Sequence, residues 1–354
     1  MSCHQGLDSS EGPWNLADRR LFSLPAFCDA ATCLACRHAL RCSRRAAGSL
    51  PAPKLIEHKD IDVAHADNPQ YCVPYVHDIY AHLRETEKVR RPNMRYLEDG
   101  TQSDINSQMR SILVDWLVEV AEEYKLVSDT LYLSVNYIDR VLSSMPVQRS
   151  RLQLVGVSCM LVAAKYEEIY APQVDEFVYI TDNTYTRNEV IQMERKILDL
   201  LGFELTAPTG KHFLRRFIQS SEPDGKTELL ANYLCELTLV EAKFLQYLPS
   251  KVAAACVFLA NFTMKRQPWN STIEHYTGYT LGEIAPVVAE LHKLYKDSPK
   301  SNLVAIREKY AATKFKSVST IVPPEHLHGL DLAPHSARAV CRVGWGAGWG
   351  WGGG

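Results

Sequence analysis

The sequence has no apolar stretch long enough to cross a bilayer. Its longest apolar runs, Leu154–Ala164 and Val252–Phe262, fall short of the roughly 20 residues a spanning helix needs. The first residues, Met1–Glu11, are polar and contain no apolar core of a secretory signal, so the expected compartment is cytosol or nucleus. An excess of either charge is missing too: 39 Lys+Arg stand against 41 Asp+Glu, a net charge of −2. That balance argues against bulk binding to nucleic acid or to an acidic membrane. Enzyme motifs are absent as well. No GxxxxGK phosphate loop, strand-borne GxGxxG, HExxH or GxSxG occurs, and the 12 histidines lack metal-ligand spacing. No nucleophile adjoins a base, so a non-enzymatic binding protein without a cofactor is expected.

Cysteine is not scarce, but its placement is informative. Five of the 10 cysteines lie in the first 42 residues, and the spacing Cys28-x4-Cys33-x2-Cys36-x5-Cys42 contains one CxxC. A zinc knuckle would use such thiolates, yet the second CxxC of a paired site is missing, so free thiols and no metal are expected. Cys159 and Cys256 fall inside apolar runs, where a thiol acts as a small hydrophobe.

Three regions separate by pattern. Residues 1–70 mix Ser, Gly, Pro, Ala, Cys and Arg with no sustained period and read as a disordered tail. The segment 319–354 ends in a low-complexity Gly/Trp run. Between them the pattern is helical nearly throughout, with no convincing alternating strand, which predicts an all-α fold. Helices are expected over Asn106–Leu126, Asp129–Leu142 with Ser128 as N-cap, Gln148–Tyr166, Pro172–Ile180 and Thr186–Leu201 before Gly202. Further helices are expected over Thr209–Ser220, Glu228–Leu239, Ser250–Lys265, a turn at Asn270–His275, and Thr280–Lys296.

An internal repeat organises them. Tyr185-Thr186-x-x-Glu189-Val190 recurs as Tyr279-Thr280-x-x-Glu283-Ile284, 94 residues on. Each Thr-x-x-Glu forms a capping box. The apolar positions Val190, Met193, Ile197 and Leu200 run in step with Ile284, Val287, Leu291 and Leu294. Cys159 and Cys256 repeat in similar surroundings, 97 residues apart. Two tandem helical repeats follow, placed at 101–205 and 206–318.

The first long helix carries two apolar stripes. One holds Met109, Ile112, Leu113 and Trp116, the other Val114, Leu117, Val118 and Ala121. Such a helix is buried on both faces or presents one to a partner. Asp115, Glu119, Glu122 and Glu123 would favour a basic ligand. The pair Glu167-Glu168 reads as a solvated corner at a helix end.

The run Met109-Arg110-Ser111-Ile112-Leu113-Val-Asp-Trp116 resembles a cyclin box. The resemblance extends over about 240 residues, through Tyr137-Ile-Asp139-Arg140, Leu152-Gln153-Leu154, Ala164-Lys165-Tyr166-Glu167-Glu168, Tyr179–Tyr185 and Met193-Glu194. Val114-Asp115-Trp116, Leu237–Glu241 and Phe244-x-x-Tyr247-Leu-Pro249-Ser250 resemble A-type cyclins, plant-like ones in particular. Ser111 departs from the Ala usual in that motif.

The resemblance implies two five-helix repeats and a regulatory subunit of a cyclin-dependent protein kinase, acting from S phase to mitosis in nucleus and cytoplasm. Lys165 and Glu194 would grip the kinase, with Phe203, Leu205, Tyr166 and Leu198 as the apolar surround and Ile79 and Tyr80 contacting it from an extra N-terminal helix, Val73–Arg90, in a helix-and-connection segment at 71–100. Arg110 and Asp139 would form a buried ion pair. Met109, Ile112, Leu113, Trp116, Leu152 and Gln153 would dock Arg-x-Leu segments of substrates and inhibitors, with Glu119 meeting the Arg. On that assignment the first stripe is exposed and the second feeds the core. Arg37-x-x-Leu40 matches a minimal destruction box for the ubiquitin-ligase machinery, but Arg110–Leu113, Arg149–Leu152, Arg151–Leu154 and Arg195–Leu198 match it too. Arg19-Arg20-Leu21-Phe22 has the Arg-x-Leu-Phe form itself, so self-docking on the patch is expected to compete with substrates. Two other readings stand beside this one. A TFIIB-type DNA-binding factor would need a basic surface and a paired-CxxC ribbon, which the sequence lacks. A helical scaffold would leave Lys165 and Glu194 as ordinary surface charges.

Overall fold

The computed structural model describes residues 58–327. Among these, helices α2 (Ser107–Glu123), α3 (Ser128–Ser144), α4 (Leu152–Glu167), α5 (Val174–Tyr179) and α6 (Arg187–Leu201) form the first repeat. Helices α7 (Gly210–Gln219), α8 (Gly225–Val240), α9 (Pro249–Thr263), α10 (Ser271–Thr277) and α11 (Leu281–Asp297) form the second. Helix α1 (Val76–Val89) precedes them and α12 (Ala305–Ala311) follows.

Each repeat is built round one helix that is apolar on every side and therefore buried on every side. In the first this is α4, where every residue from Leu154 to Ala164 is buried; it lies along α3 and α6. In the second it is α9, lying along α7, α8 and α11. Cys159 and Cys256 occupy corresponding places in these two helices, both fully buried. The paired capping boxes also form. Thr186 N donates to Glu189 Oε2 at 2.9 Å and Thr280 N to Glu283 Oε2 at 2.8 Å, satisfying amides that a helix start leaves unpaired. Leu200 breaks step with the repeat, being exposed while Leu294 is half-buried.

Structured turns already stand before the expected boundary at 71. Short 3-10 turns cover Val63–His65, Pro69–Tyr71 and Val73–Tyr75, so α1 begins at Val76 and not at Val73. Asp62 makes two hydrogen bonds to the Arg216 guanidinium, at 2.9 and 2.7 Å, and ties this strap to α7. At the other end the boundary at 319 is also too early. Tyr295 OH donates to Ile321 O at 2.6 Å, drawing the chain back over α11.

Two local expectations need correction. Ser128 is the first residue of α3, not its cap; Val127 holds that position. The capping acceptor comes from far away. Glu168 Oε1 takes hydrogen bonds from Val127 N (2.8 Å) and Thr130 Oγ1 (2.6 Å), so Glu168 fixes the start of α3 and is not a merely solvated corner. Helix α12 had no counterpart among the expected helices. Its Lys309 and Tyr310 meet the buried Glu236 carboxylate at 2.6 and 2.9 Å.

The repeats join at the end of α8. Arg110 is 1% exposed and forks onto Asp139, Nε to Oδ1 at 2.6 Å and Nη2 to Oδ2 at 2.7 Å. Its Nη1 donates across the junction to Leu239 O at 2.8 Å. Ser111 Oγ donates to the next carbonyl, Val240 O, at 2.6 Å. The last carbonyls of a helix lack intrahelical partners and carry the negative end of its dipole, so a buried cation and a hydroxyl suit both needs. Burial opposes the Arg110 charge, but Asp139 more than compensates, and the guanidinium stays firmly protonated.

Candidate functional site: two exposed faces of the first repeat

Helices α4 and α6 pack side by side, which brings Lys165, in the last turn of α4, against Glu194 in the middle of α6. Lys165 Nζ lies 2.6 Å from Glu194 Oε1. Around them stand Tyr166 and Phe203, both exposed, and the half-buried Leu198 and Leu205. Tyr166 OH is 2.6 Å from Thr206 Oγ1, fixing its ring over the chain that leaves α6. Gly202 ends α6 in the left-handed region, and Phe203 follows in the same region at φ +57°. A bulky residue there is strained, and the Phe203 side chain is 67% exposed.

Sequence reasoning missed the most exposed part of this face. Ile169 and Tyr170 are 91% and 92% exposed in the loop after α4. Large apolar side chains so fully in water usually wait for a partner. Their signal was an apolar pair in a short loop closed by Pro172. On α1, Ile79 is exposed as expected, but Tyr80 points inward. Its hydroxyl donates to His212 O at 3.2 Å and its ring lies 5.1 Å from the Arg216 guanidinium. The exposed companion of Ile79 is Tyr75, one turn earlier and 67% exposed. Arg90, at the end of α1, pairs with Glu204 beside Phe203.

A second face lies on α2. The stripe Val114, Leu117, Val118 and Ala121 is buried in the core. The other stripe is not uniformly exposed. Ile112 is 54% exposed, and Met109, Trp116 and Gln153 are half-buried. Leu113 and Leu152 are buried, at 6% each, so they form the floor of the patch and not its open surface. Leu113 sits down because α4 offers a glycine beneath it: a Cβ on Gly156 would lie 2.7 Å from Leu113 Cδ1.

Beside Trp116 the surface continues into a groove lined by Glu119, Glu123, Tyr124, Asp175, Glu176 and Tyr179. Not all four acids of α2 serve it. Asp115 Oδ1 accepts from Ala305 N of α12 at 3.2 Å, and burial raises its pKa. Glu122 pairs with Lys314 at 2.6 Å and Lys309 at 3.4 Å. Glu119 and Glu123 remain to face a basic ligand.

The four Arg-x-x-Leu matches inside the fold lie on helices or at a helix start, with Leu113, Leu152 and Leu154 buried and Leu198 half-buried. A receptor that reads an extended segment has no access to them. Arg37–Leu40, Arg19, Leu21, Phe22 and the Cys28–Cys42 group lie outside the described residues. Among the described residues no three His, Cys, Asp or Glu side chains cluster to hold a metal, and no helix is long and apolar enough to cross a membrane.

Comparison with known proteins agrees with this architecture. Residues 78–206 match the cyclin N-terminal domain and residues 208–324 the cyclin C-terminal domain. Cyclin-A1-1 of Oryza sativa subsp. japonica is 54% identical over 277 residues, covering 76% of this chain and 54% of that protein. Cyclin-A1-1 of Arabidopsis thaliana is 48% identical over 296 residues, covering 80% and 64%. The X-ray structure of a viral cyclin from herpesvirus saimiri has the same fold, with TM-score 0.55 at 21% identity over 60% of this chain and 95% of that one. The chain belongs to the cyclin family, and within it to the plant A-type cyclins. It spans 54% to 64% of the length of these two curated relatives.

Proposed function

We propose that this chain is the non-catalytic regulatory subunit of a cyclin-dependent protein kinase. One observation supports the reading: Lys165 and Glu194 pair across α4 and α6, and Tyr166, Ile169, Tyr170 and Phe203, at or just past the ends of those two helices, are all exposed. Aromatic and aliphatic anchors around a small polar centre are the make-up of a binding hot spot. Ile79 on α1 and Tyr75 just before it extend the contact. The chain shifts the kinase toward its active conformation because it binds that conformation better than the inactive one. A tenfold change in the ratio of the two states needs about 1.4 kcal/mol of differential affinity.

The α2 face recruits substrates. Ile112, Met109 and Trp116 cover an apolar segment over the floor made by Leu113 and Leu152, Gln153 borders it, and Glu119 meets the Arg of an Arg-x-Leu motif. The subunit works in the nucleus and cytoplasm between S phase and mitosis, and the ubiquitin-ligase machinery removes it through Arg37–Leu40. The test is affinity purification of the full chain from dividing plant cells, with the bound kinase identified by mass spectrometry and its activity assayed. A kinase lost from the Lys165→Ala, Glu194→Ala variant supports the reading. Shifting of labelled DNA with no kinase recovered would replace it with a DNA-binding role.

A further inference from the structure

Helix α1 carries one buried stripe. Val76, Tyr80, Leu83, Arg84 and Glu87, at i, i+4, i+7, i+8 and i+11, are all buried or half-buried. Ile79 lies at the edge of that stripe, 42% exposed. The helix has 14 residues, and a helix that short is marginal on its own. Its position is therefore set by what the stripe holds.

The stripe holds the second repeat. Glu87 is 1% exposed and accepts two hydrogen bonds from Ser250, from N to Oε2 at 2.9 Å and from Oγ to Oε1 at 2.7 Å. Ser250 is the second residue of α9, whose N-cap, Leu248, has no side-chain acceptor. Glu87 supplies that acceptor from another helix. Arg84 converges on the same hydroxyl, with Nη1 3.0 Å from Ser250 Oγ, while its Nη2 donates to Thr277 O. Its guanidinium also stands over the Tyr279 ring, 4.6 Å from the centroid, and Tyr279 OH lies 2.8 Å from Ser250 Oγ. The Ser250 hydroxyl thus donates to Glu87 and accepts from Arg84 and Tyr279, which uses all of its hydrogen-bonding capacity. The end of α1 is tied to the first repeat instead. Asn136 Nδ2 donates to Arg90 O at 3.3 Å, and Arg90 pairs with Glu204, next to Phe203. Helix α1 therefore bridges the two repeats.

We propose that Arg84 and Glu87 are positioning residues for the kinase: the latch they close on Ser250 aligns Ile79 on α1, and Tyr75 just before it, with the Lys165–Glu194 face of the first repeat. The inference rests on the kinase-subunit reading and adds that the second repeat contributes to kinase affinity through α1. Glu87 is too deeply buried to touch a kinase itself. Its effect is transmitted by the helix that carries it, because a loosened α1 presents Ile79 and Tyr75 in the competent position for only part of the time, and apparent affinity falls by that fraction.

The experiment measures the affinity of the full chain for the kinase that co-purifies with it, in a double-mutant cycle. Glu87→Gln keeps the shape of the side chain and removes its charge and one acceptor, so kinase affinity should fall about fivefold. Ser250→Ala, which deletes the shared hydroxyl, should act in the same direction and carries the test if Glu87→Gln fails to fold. In a Tyr75→Ala, Ile79→Ala background the latch substitution should have no further effect. In a Lys165→Ala, Glu194→Ala background it should keep its full effect, since those residues lie on other helices. A latch that mattered only to global stability would lower affinity equally in both backgrounds. A wild-type chain that binds no kinase overturns the proposed function and this inference with it. A kinase bound by the wild type and weakened by the latch substitution equally in both backgrounds, or in neither, overturns this inference alone.

Discussion

Lys165 Nζ and Glu194 Oε1, 2.6 Å apart, are each other's partners in this chain. Lys165 is 49% exposed, and a solvent-screened pair of this kind contributes only about 0–1 kcal/mol. The pair thus fixes where both side chains point while costing little to re-partner. A kinase that offers a carboxylate or backbone carbonyls to Lys165, and amides to Glu194, finds both groups already in place.

The first prediction follows from that geometry. Lys165→Ala with Glu194→Ala removes two charge-assisted hydrogen bonds to the kinase, each worth about 1.5 kcal/mol or more. Kinase affinity should fall about 100-fold, read by titration of kinase activity at limiting cyclin. Circular dichroism should be unchanged, because the pair lies at the surface. Undiminished activation by the double variant would remove these residues from the interface.

A second prediction separates the surface of the α2 patch from its floor. Ile112→Ala with Trp116→Ala should weaken phosphorylation of an Arg-x-Leu substrate and spare a short peptide carrying only the phosphorylated site. Leu113→Ala is a different experiment. Leu113 is buried over Gly156, so its truncation should cost about 2–5 kcal/mol of stability and reduce activity on both substrates alike. Equal losses from the Ile112, Trp116 variant would assign those two residues to the fold.

The third prediction concerns the junction. Ser111→Ala deletes one hydrogen bond to a helix-end carbonyl and should lower unfolding stability by about 1 kcal/mol. Asp139→Ala strands the buried Arg110 charge and should cost about 3–5 kcal/mol. Urea denaturation of the two variants measures both, and similar small losses would mean that water replaces Asp139.

The fold was legible because its cues are local and repeated. Capping boxes, punctuation and apolar stripes placed nine of the twelve helices among the described residues to within a few residues in most cases, the family resemblance supplied α1, and the 94-residue echo gave the repeat. What escaped depends on distant partners. Helix α12 is seven residues long, too short to show a period. The cap of α3 comes from Glu168, 41 residues beyond Val127. Tyr80 and Ile79 are neighbours in sequence, and only the packing of α1 on α7 shows which one faces inward. The strap before α1 has no periodicity because two ion pairs, Lys59 to Glu222 and Asp62 to Arg216, with a few hydrogen bonds and ring contacts hold it. The buried floor under Ile112 depends on Gly156, which a helix-by-helix pattern cannot connect to Leu113.

That strap supplies the last prediction. His58 stacks on His275 with ring centroids 3.6 Å apart, Ile61 N donates to Tyr276 OH at 3.1 Å, and Asp62 grips Arg216. Around His275 stand His58, His77, Arg216 and Asp60; around Asp62 stand Arg216, His77 and His65. Burial, with the neighbouring His58, lowers the His275 pKa from its ordinary 6.5. The docked strap therefore favours neutral His275, and this contribution is lost as pH falls below 6.5 toward the docked value. The Arg216 hydrogen bonds lower the Asp62 pKa from its ordinary 3.8. The ionised form is the docked one, so this contribution stands above 3.8 and is lost as pH falls below it. Hydrogen exchange at the Ile61 amide, corrected for its intrinsic pH dependence, should rise in two steps, one below 6.5 and one below 3.8. His275→Phe should remove the first step and Asp62→Asn the second, with α9 amides protected throughout the first. A single rise that both variants leave in place would show that the strap opens only with the whole fold.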